Sequence, residues 1–261
     1  MASIYTALNE GNIKDIEDII AYNGKIADIA GIKAAFRGKY SEAVIKKKLH
    51  ALKTKGWLIP FKRGSYLVSD IASRGFAGIS PFVIAGILLK NSYVTSGSAF
   101  SYHGLVEQLQ RGVTSVTVLK RREYKFQNSI YRFKKIKSRL FFGFEKVRIE
   151  GYEAKIAVLE KALLDSLYLR RDEHSLVNIF EIFSEHRGKF DTVKLVELAE
   201  KFPVTIKRIL GLMLDRAGLE SESLRAGLPK TGYSRMSASA GKFDAKWRLY
   251  YDAGFDGQVE A

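Results

Sequence analysis

Ser41–Val68 reads SEAVIKKKLHALKTKGWLIPFKRGSYLV, and the order of its patterns decides the fold of the N-terminal region. Ser41 before Glu42 is a helix start with Ser41 as N-cap. The helix runs to about Thr54, and Gly56 stops it. Ile45, Leu49 and Leu52 fall on one face. At about 100° per residue, Ala43, Lys47, His50 and Thr54 point the opposite way, with Lys46 on the flank. Two apolar, partly aromatic runs follow from Trp57 to Val68 around a Lys62-Arg63-Gly64-Ser65 turn, which predicts a β-hairpin. Pro60 is tolerable there on an edge strand. Upstream, Ile13, Ile16, Ile19 and Ile20 predict a helix over about 13–22, ended by Asn23-Gly24. A second short helix is expected within Lys25–Phe36, with Ile26, Ile29 and Ile32 or Ala30 inward, before Gly38 breaks the pattern.

Three helices followed by a basic-tipped hairpin are the order of a winged helix-turn-helix, here residues 1–70. In that reading the third helix enters the major groove of DNA and the hairpin tip touches the backbone or the minor groove. From Lys39 to Arg63 there are eight basic residues against one acid, Glu42. The candidate DNA-binding set is Lys39, Ser41, Lys46, Lys47, His50, Lys53, Lys62 and Arg63. If four to six of the cations neutralise phosphates, log K falls with log salt at a slope of about −4 to −5. The alternatives are a solvated lysine-rich helix, or a winged helix used for protein contacts.

The whole chain shares the bias. Its 43 Lys and Arg against 28 Asp and Glu give a net charge of +15, which attracts polyanions. With 46% hydrophobic residues in 261, it has ample material for a packed core. The absence of cysteine excludes a disulfide scaffold and thiolate-held metals and fits a reducing compartment. No two of the four histidines stand at a metal-ligand spacing, so neither metal nor cofactor is expected. The N-terminus is polar and acidic (Glu10, Asp15, Glu17, Asp18), unlike a signal peptide. The longest apolar run, Ile79–Leu89, is too short to span a bilayer and is interrupted by Ser80 and Pro81. A cytoplasmic protein without a membrane partner is expected.

Asp70–Gly78, rich in Ser, Gly and Ala, reads as a linker to a second domain over 79–261. Helices are expected over Pro81–Lys90 and Gly97–Gln108. Strands are expected over Val113–Leu119, Ile130–Lys134, Leu140–Phe144 and Lys146–Glu150. Helices follow over Ala157–Leu169, Ser175–His186, Thr192–Lys201 and Val204–Ala217, before Gly227–Tyr251 returns to turn and strand character. The fold class is α+β: the N-terminal winged helix-turn-helix plus a larger mixed domain with a small sheet and several helices.

Glu153-Ala154-Lys155, with Glu145 or Glu123 upstream, suits a metal-dependent nuclease, although two such residues can simply share an exposed strand face. Glu160 and Asp165 lie about 140° apart on one helix, which favours structural roles over an acid–base pair. Ser96, Ser98, Ser101 and His103 crowd one segment without an evident orienting acid, and phosphate-binding glycine loops are absent. A second basic block has ten cations from Arg111 to Arg139 against Glu123 alone, with Tyr124, Phe126, Tyr131 and Phe133 interleaved. Arg111, Lys120, Arg121, Arg122, Lys125, Arg132, Lys134 and Lys135 are its candidate contacts for nucleic acid or an acidic partner. The other reading is a solvated hairpin with core aromatics.

Five segments carry a family resemblance. Tyr93–Gln108 (YVTSGSAFSYHGLVEQ) resembles the "S-A-L-s-x-H-G-L-t-e-Q" helix of the AbiEi family, the antitoxins of abortive-infection toxin–antitoxin pairs. Gly56-Trp57-Leu58 to Arg63-Gly64-Ser65-Tyr66 resembles that family's winged-helix ending. Phe141-Phe142-Gly143 resembles its "F-f-G" strand. Ile156–Asp165 resembles its "a-x-x-E-[KR]-a-l-l-D" helix, and Lys230-Thr231-Gly232-Tyr233 with Lys246-Trp247-Arg248-Leu249 its C-terminal signature. Tyr251-Asp252 departs from the Asn that usually follows that last strand. The resemblance implies a non-enzymatic repressor that binds double-stranded DNA, namely inverted repeats of its own promoter, through the winged helix. It implies that the C-terminal domain counters a nucleotidyltransferase toxin, although the family also includes stand-alone regulators. Ser98, His103, Gly104, Glu160, Asp165 and Trp247 are then architectural.

Overall fold

Ile16 and Ile19 point inward from α1 (Glu10–Asn23) onto Ile32 and Phe36 of the following turns. The structure is a computed structural model describing residues 10–69, 78–107 and 112–256. It divides into two compact units, Met1–Ser80 and Pro81–Ala261, and its class is α+β.

The first unit continues through β1 (Ile26–Asp28), α2 (Ile29–Ala35), α3 (Glu42–Thr54), β2 (Leu58–Lys62) and β3 (Ser65–Val68). The strands form a sheet of order β1-β3-β2, antiparallel throughout. Ile45 and Leu52 from α3, Leu58 and Val68 from the hairpin, and Ala27 from β1 close the core over α1. Fully burying each large aliphatic side chain contributes about 1.5–3 kcal/mol.

The second helix differs from the sequence expectation. Lys25–Asp28 is not helical, because Ile26–Asp28 pairs with Ser65–Leu67, and it is Ala27 that turns inward. Asp28 then starts the helix by accepting from Gly31 N at 2.7 Å. Ile29 is left 40% exposed, and its N–H donates to the Gly64 carbonyl of the hairpin turn at 3.0 Å. Gly64 has φ +75°, a backbone that suits glycine, and Pro60 lies on the edge strand β2. The other helices of this unit keep their expected places within a few residues.

The second unit holds a six-stranded sheet, larger than the small sheet expected. Its strands are β4 (Ser92–Val94), β5 (Gly112–Thr117), β6 (Arg122–Phe126), β7 (Ser129–Lys135), β8 (Phe144–Ile149) and β9 (Tyr152–Ala157), in the order β6-β7-β5-β4-β9-β8. Helices α4 (Pro81–Leu88) and α5 (Gly97–Tyr102) flank β4 in the chain. The expected Gly97–Gln108 helix stops at Tyr102, where Gly104 turns the chain with φ +69°. Gln108 lies outside the described residues, as does most of the expected linker. Leu140–Phe144 is not a strand: a 3-10 turn at Ser138–Leu140 and Gly143 at φ +68° interrupt it.

The helical half comprises α6 (Leu159–Leu169), α7 (Glu173–Glu185), α8 (Thr192–Ala199), α9 (Val204–Arg216) and α10 (Glu222–Ala226). The last segment forms a second sheet of β10 (Ser234–Arg235), β11 (Lys242–Asp244) and β12 (Leu249–Tyr251), in the order β10-β12-β11.

Two polar contacts organise this unit. On α6, Lys161 and Asp165 are 0% exposed and paired with each other. Asp165 also accepts from Tyr93 Oη at 3.0 Å and Thr95 Oγ1 at 2.8 Å. Lys161 Nζ lies 5.0 Å from the Phe142 ring and 5.1 Å from Phe202. Burial pulls the Lys161 ammonium down and pushes the Asp165 carboxyl up from their ordinary values, against their mutual attraction. At α9, the Trp247 indole lies against Gly211, and its Nε1 donates to Asp215 at 2.6 Å.

Candidate nucleic-acid interface

Helix α3 buries one face and exposes the rest. Ile45 and Leu52 are in the core, while Ala43, Lys46, Lys47, His50, Lys53 and Thr54 are exposed. Lys62 and Arg63 are exposed at the hairpin tip, on either side of the β2 end. Lys46, Lys47, His50, Lys53, Lys62 and Arg63 have no ion-pair partner among the described residues. Unpaired cations on a helix and on an adjacent turn keep their charge available to a polyanion. Ser41 holds the N-cap position expected of it, but its hydroxyl makes no capping bond. The helix start is stabilised instead by chain geometry: Ile45 N donates to Ser41 O at 2.9 Å.

Lys39 stands apart from this set. Its Nζ pairs with Asp18 on α1 at 2.7 Å, so its charge is already partly met within the unit. Lys48 is also diverted. It pairs with Asp15, which is 1% exposed, and lies 4.3 Å from the Tyr40 ring, whose hydroxyl donates to the same carboxylate at 3.0 Å. Burial pulls the Lys48 ammonium down, but Asp15 and Tyr40 outweigh that and hold it above its ordinary value. Asp15 therefore fixes α3 on α1, a role sequence reasoning missed. The signal was an acid beside Ile16 and Ile19 on the apolar face of a helix. Val44 is 38% exposed beside the cations, an apolar side chain that the sequence reading did not single out.

The second basic block is split by strand alternation. Arg111 lies outside the described residues. Lys120 and Arg121 are exposed in the loop before β6, and Arg122, Lys125 and Lys135 are exposed on β6 and β7. Arg132 pairs with Glu123 across the two strands at 3.3 Å. Lys134 is half-buried; burial first, then the charges of Arg170, Arg121 and Arg132, lower its pKa. The intervening Tyr131 and Phe133 are core residues, as the solvated-hairpin alternative requires of them.

The remaining chemical candidates are held apart. Glu153 pairs with Lys146 at 3.2 Å on the neighbouring strand, and Lys155 Nζ reaches the Lys90 carbonyl at 3.4 Å. Glu123 is engaged by Arg132. Among the described residues no group of three or more acidic or histidine side chains converges as a metal site would need. Glu160 pairs with Lys194 at 3.1 Å, and Asp165 belongs to the buried Lys161 contact. The His103 ring bonds the Ala157 carbonyl through Nε2 at 2.9 Å. Among the described residues no helix is long and apolar enough to cross a membrane.

No family model matches the chain, and no curated protein does. Among solved structures, the chain is similar to the Rv2827c protein of Mycobacterium tuberculosis, with a TM-score of 0.66 and 11% identity. The match covers 94% of this chain and 92% of that one. At that identity the likeness concerns the fold alone, and it extends over both units.

Proposed function

We propose that this chain is a cytoplasmic DNA-binding repressor of the AbiEi type, whose first unit is a winged helix-turn-helix. Its C-terminal unit would act as the antitoxin domain, binding a cognate nucleotidyltransferase toxin and performing no catalysis of its own. One observation carries the DNA-binding reading. Lys46, Lys47, His50 and Lys53 on α3, and Lys62 and Arg63 on the hairpin, are exposed and without ion-pair partners among the described residues of one small unit. The α-β-α-α-β-β order, with β3 central in the sheet, supports the same reading. In it, α3 lies in the major groove, Lys62 and Arg63 grip phosphates, and Lys39 contributes less because Asp18 shares its charge. The exposed Arg121, Arg122 and Lys125 are the surface offered to the toxin.

Reversing Lys47 and Arg63 together to Glu tests the DNA arm. Loss of phosphate contacts should weaken binding to promoter DNA by at least about tenfold and flatten its salt dependence. An unchanged affinity would take the first unit out of the mechanism. For the partner arm, an adjacent-gene nucleotidyltransferase should co-purify with the wild type and be lost on reversing Arg121, Arg122 and Lys125.

A further inference from the structure

Ser96 is one of four non-glycine residues of the second unit, among those described, with a positive φ. It links β4 to α5 with φ +55° and ψ −144°, a backbone that L-residues rarely adopt. It is 7% exposed, and its Oγ has no hydrogen-bond partner among the described residues. A buried hydroxyl without a partner is costly, and so is the backbone that carries it. Glycine would relieve both costs at once, yet serine is present.

Ser96 lines a cavity of about 310 Å³, the size of a small-molecule site. Ser98 lines it too; its Oγ accepts from Thr114 N at 2.9 Å, which leaves its own O–H free to donate. Arg170, at the end of α6, lines it with a guanidinium that has no ion-pair partner among the described residues. Phe100, Ile179 and Ile182 supply an apolar wall. No acidic side chain among the described residues lines the cavity. The neighbouring Asp172 caps α7 through Ser175 N at 2.9 Å, and its charge is also felt by Arg170 and Lys134 without an ion pair forming. Lys134 lies close enough to Arg170 for the two charges to be felt by each other.

We propose that this cavity binds a small molecule with an oxyanion group and an apolar body, the oxyanion held by Arg170 and the hydroxyls of Ser96 and Ser98. The strand–serine–helix turn resembles the setting of a catalytic serine, but the ring of His103 is turned to the Ala157 carbonyl. With no base on its Oγ, Ser96 is a hydrogen-bond donor here rather than a nucleophile. A cleft of about 420 Å³ beside Trp247 is a weaker candidate, because Glu222 lines it and most of its cations are engaged: Arg208 by the carbonyls of Pro229 and Thr231, Arg225 by Glu222, and Lys246 by Asp215 and Glu222.

The test is calorimetric titration of the full chain with phenyl phosphate, benzoate and uncharged benzyl alcohol. At least one of the two anions should bind with a dissociation constant of about 1 mM or tighter, and benzyl alcohol at least about tenfold more weakly. Which anion binds separates a phosphate ligand from a carboxylate one. Arg170→Gln and Ser96→Gly should each weaken binding about tenfold or more. Neither should lower the melting temperature, since Arg170 is exposed, and Ser96→Gly should raise it, since glycine suits that backbone and removes the unpartnered hydroxyl. Failure of both anions to bind the wild type at about 10 mM would overturn the proposal. Binding that survives both substitutions would overturn it equally, as attraction to surface cations only.

Discussion

Lys46, Lys47 and Lys48 are adjacent and identical in type, yet the fold gives the last a different task. Lys47 points outward, whereas Lys48 reaches back to the buried Asp15. Helical phase made Lys47 legible as an outward residue. Nothing local revealed the Lys48 contact, because its partner lies 33 residues away. Lys48→Ala should therefore lower stability by about 1–3 kcal/mol, since it leaves the Asp15 carboxylate with one partner fewer. Lys47→Ala should stay within about 0.5 kcal/mol. Denaturant melts of the two variants check this, and the reverse order would refute the assignment. Lys161 and Asp165 behave as a coupled pair. Removing either alone strands a buried charge and should cost about 3–5 kcal/mol. Lys161→Met with Asp165→Leu should cost less than the two single losses added together. Additive losses would mean that the two residues act separately.

Elements were legible where periodicity was long and charge did not obscure it. The helices from α6 to α9 were placed within a few residues because their apolar positions recur over two turns or more. β4 is three buried residues, too short to show alternation, and β6 is masked by its cations. β1 was read as helix because Ile26, Ile29 and Ile32 keep a helical spacing, while the pairing with β3 is non-local. Of the cavity, only the crowding of Ser96 and Ser98 was visible. Phe100 and Thr114 join it from α5 and β5, and most of its remaining walls come from α6 and α7, far along the chain.

The tail shows how a short element is held. A Cβ on Gly211 would lie 2.2 Å from the Trp247 ring. Gly211→Ala should thus destabilise by about 1–3 kcal/mol through overpacking, although alanine is the better helix former by about 0.8–1 kcal/mol. A stabilised variant would refute the docking. Burial works to raise the Asp215 carboxyl, but hydrogen bonds from Lys246, Ser221 and Trp247 outweigh it and hold the carboxyl below its usual range. Its contribution to stability is present above the unfolded value of about 3.9 and is lost as pH falls through the lower folded value. In a Trp57→Phe background, Trp247 emission should shift to the red below about pH 4, and Asp215→Asn should abolish that acid transition. Emission that is unchanged on acidification would contradict the clasp.

At the scale of the whole molecule, composition set the terms: a charge of +15 is a surface that attracts polyanions, and the lack of cysteine in 261 residues leaves out disulfides and thiolate-held metals. The α+β class followed from element order, and the extent of the six-stranded sheet did not, because its β4–β9 and β5–β7 neighbours are brought together by crossovers. The claim that joins these scales is that the free cations of α3 and the hairpin read DNA. It is tested most directly by fluorescence anisotropy of the full chain on the duplex just upstream of its own reading frame, against a scrambled duplex, at two salt concentrations. The account predicts native DNA bound tighter by about a hundredfold or more, with log K falling against log salt at a slope of about −4 to −5. Equal affinity for the two duplexes would contradict it.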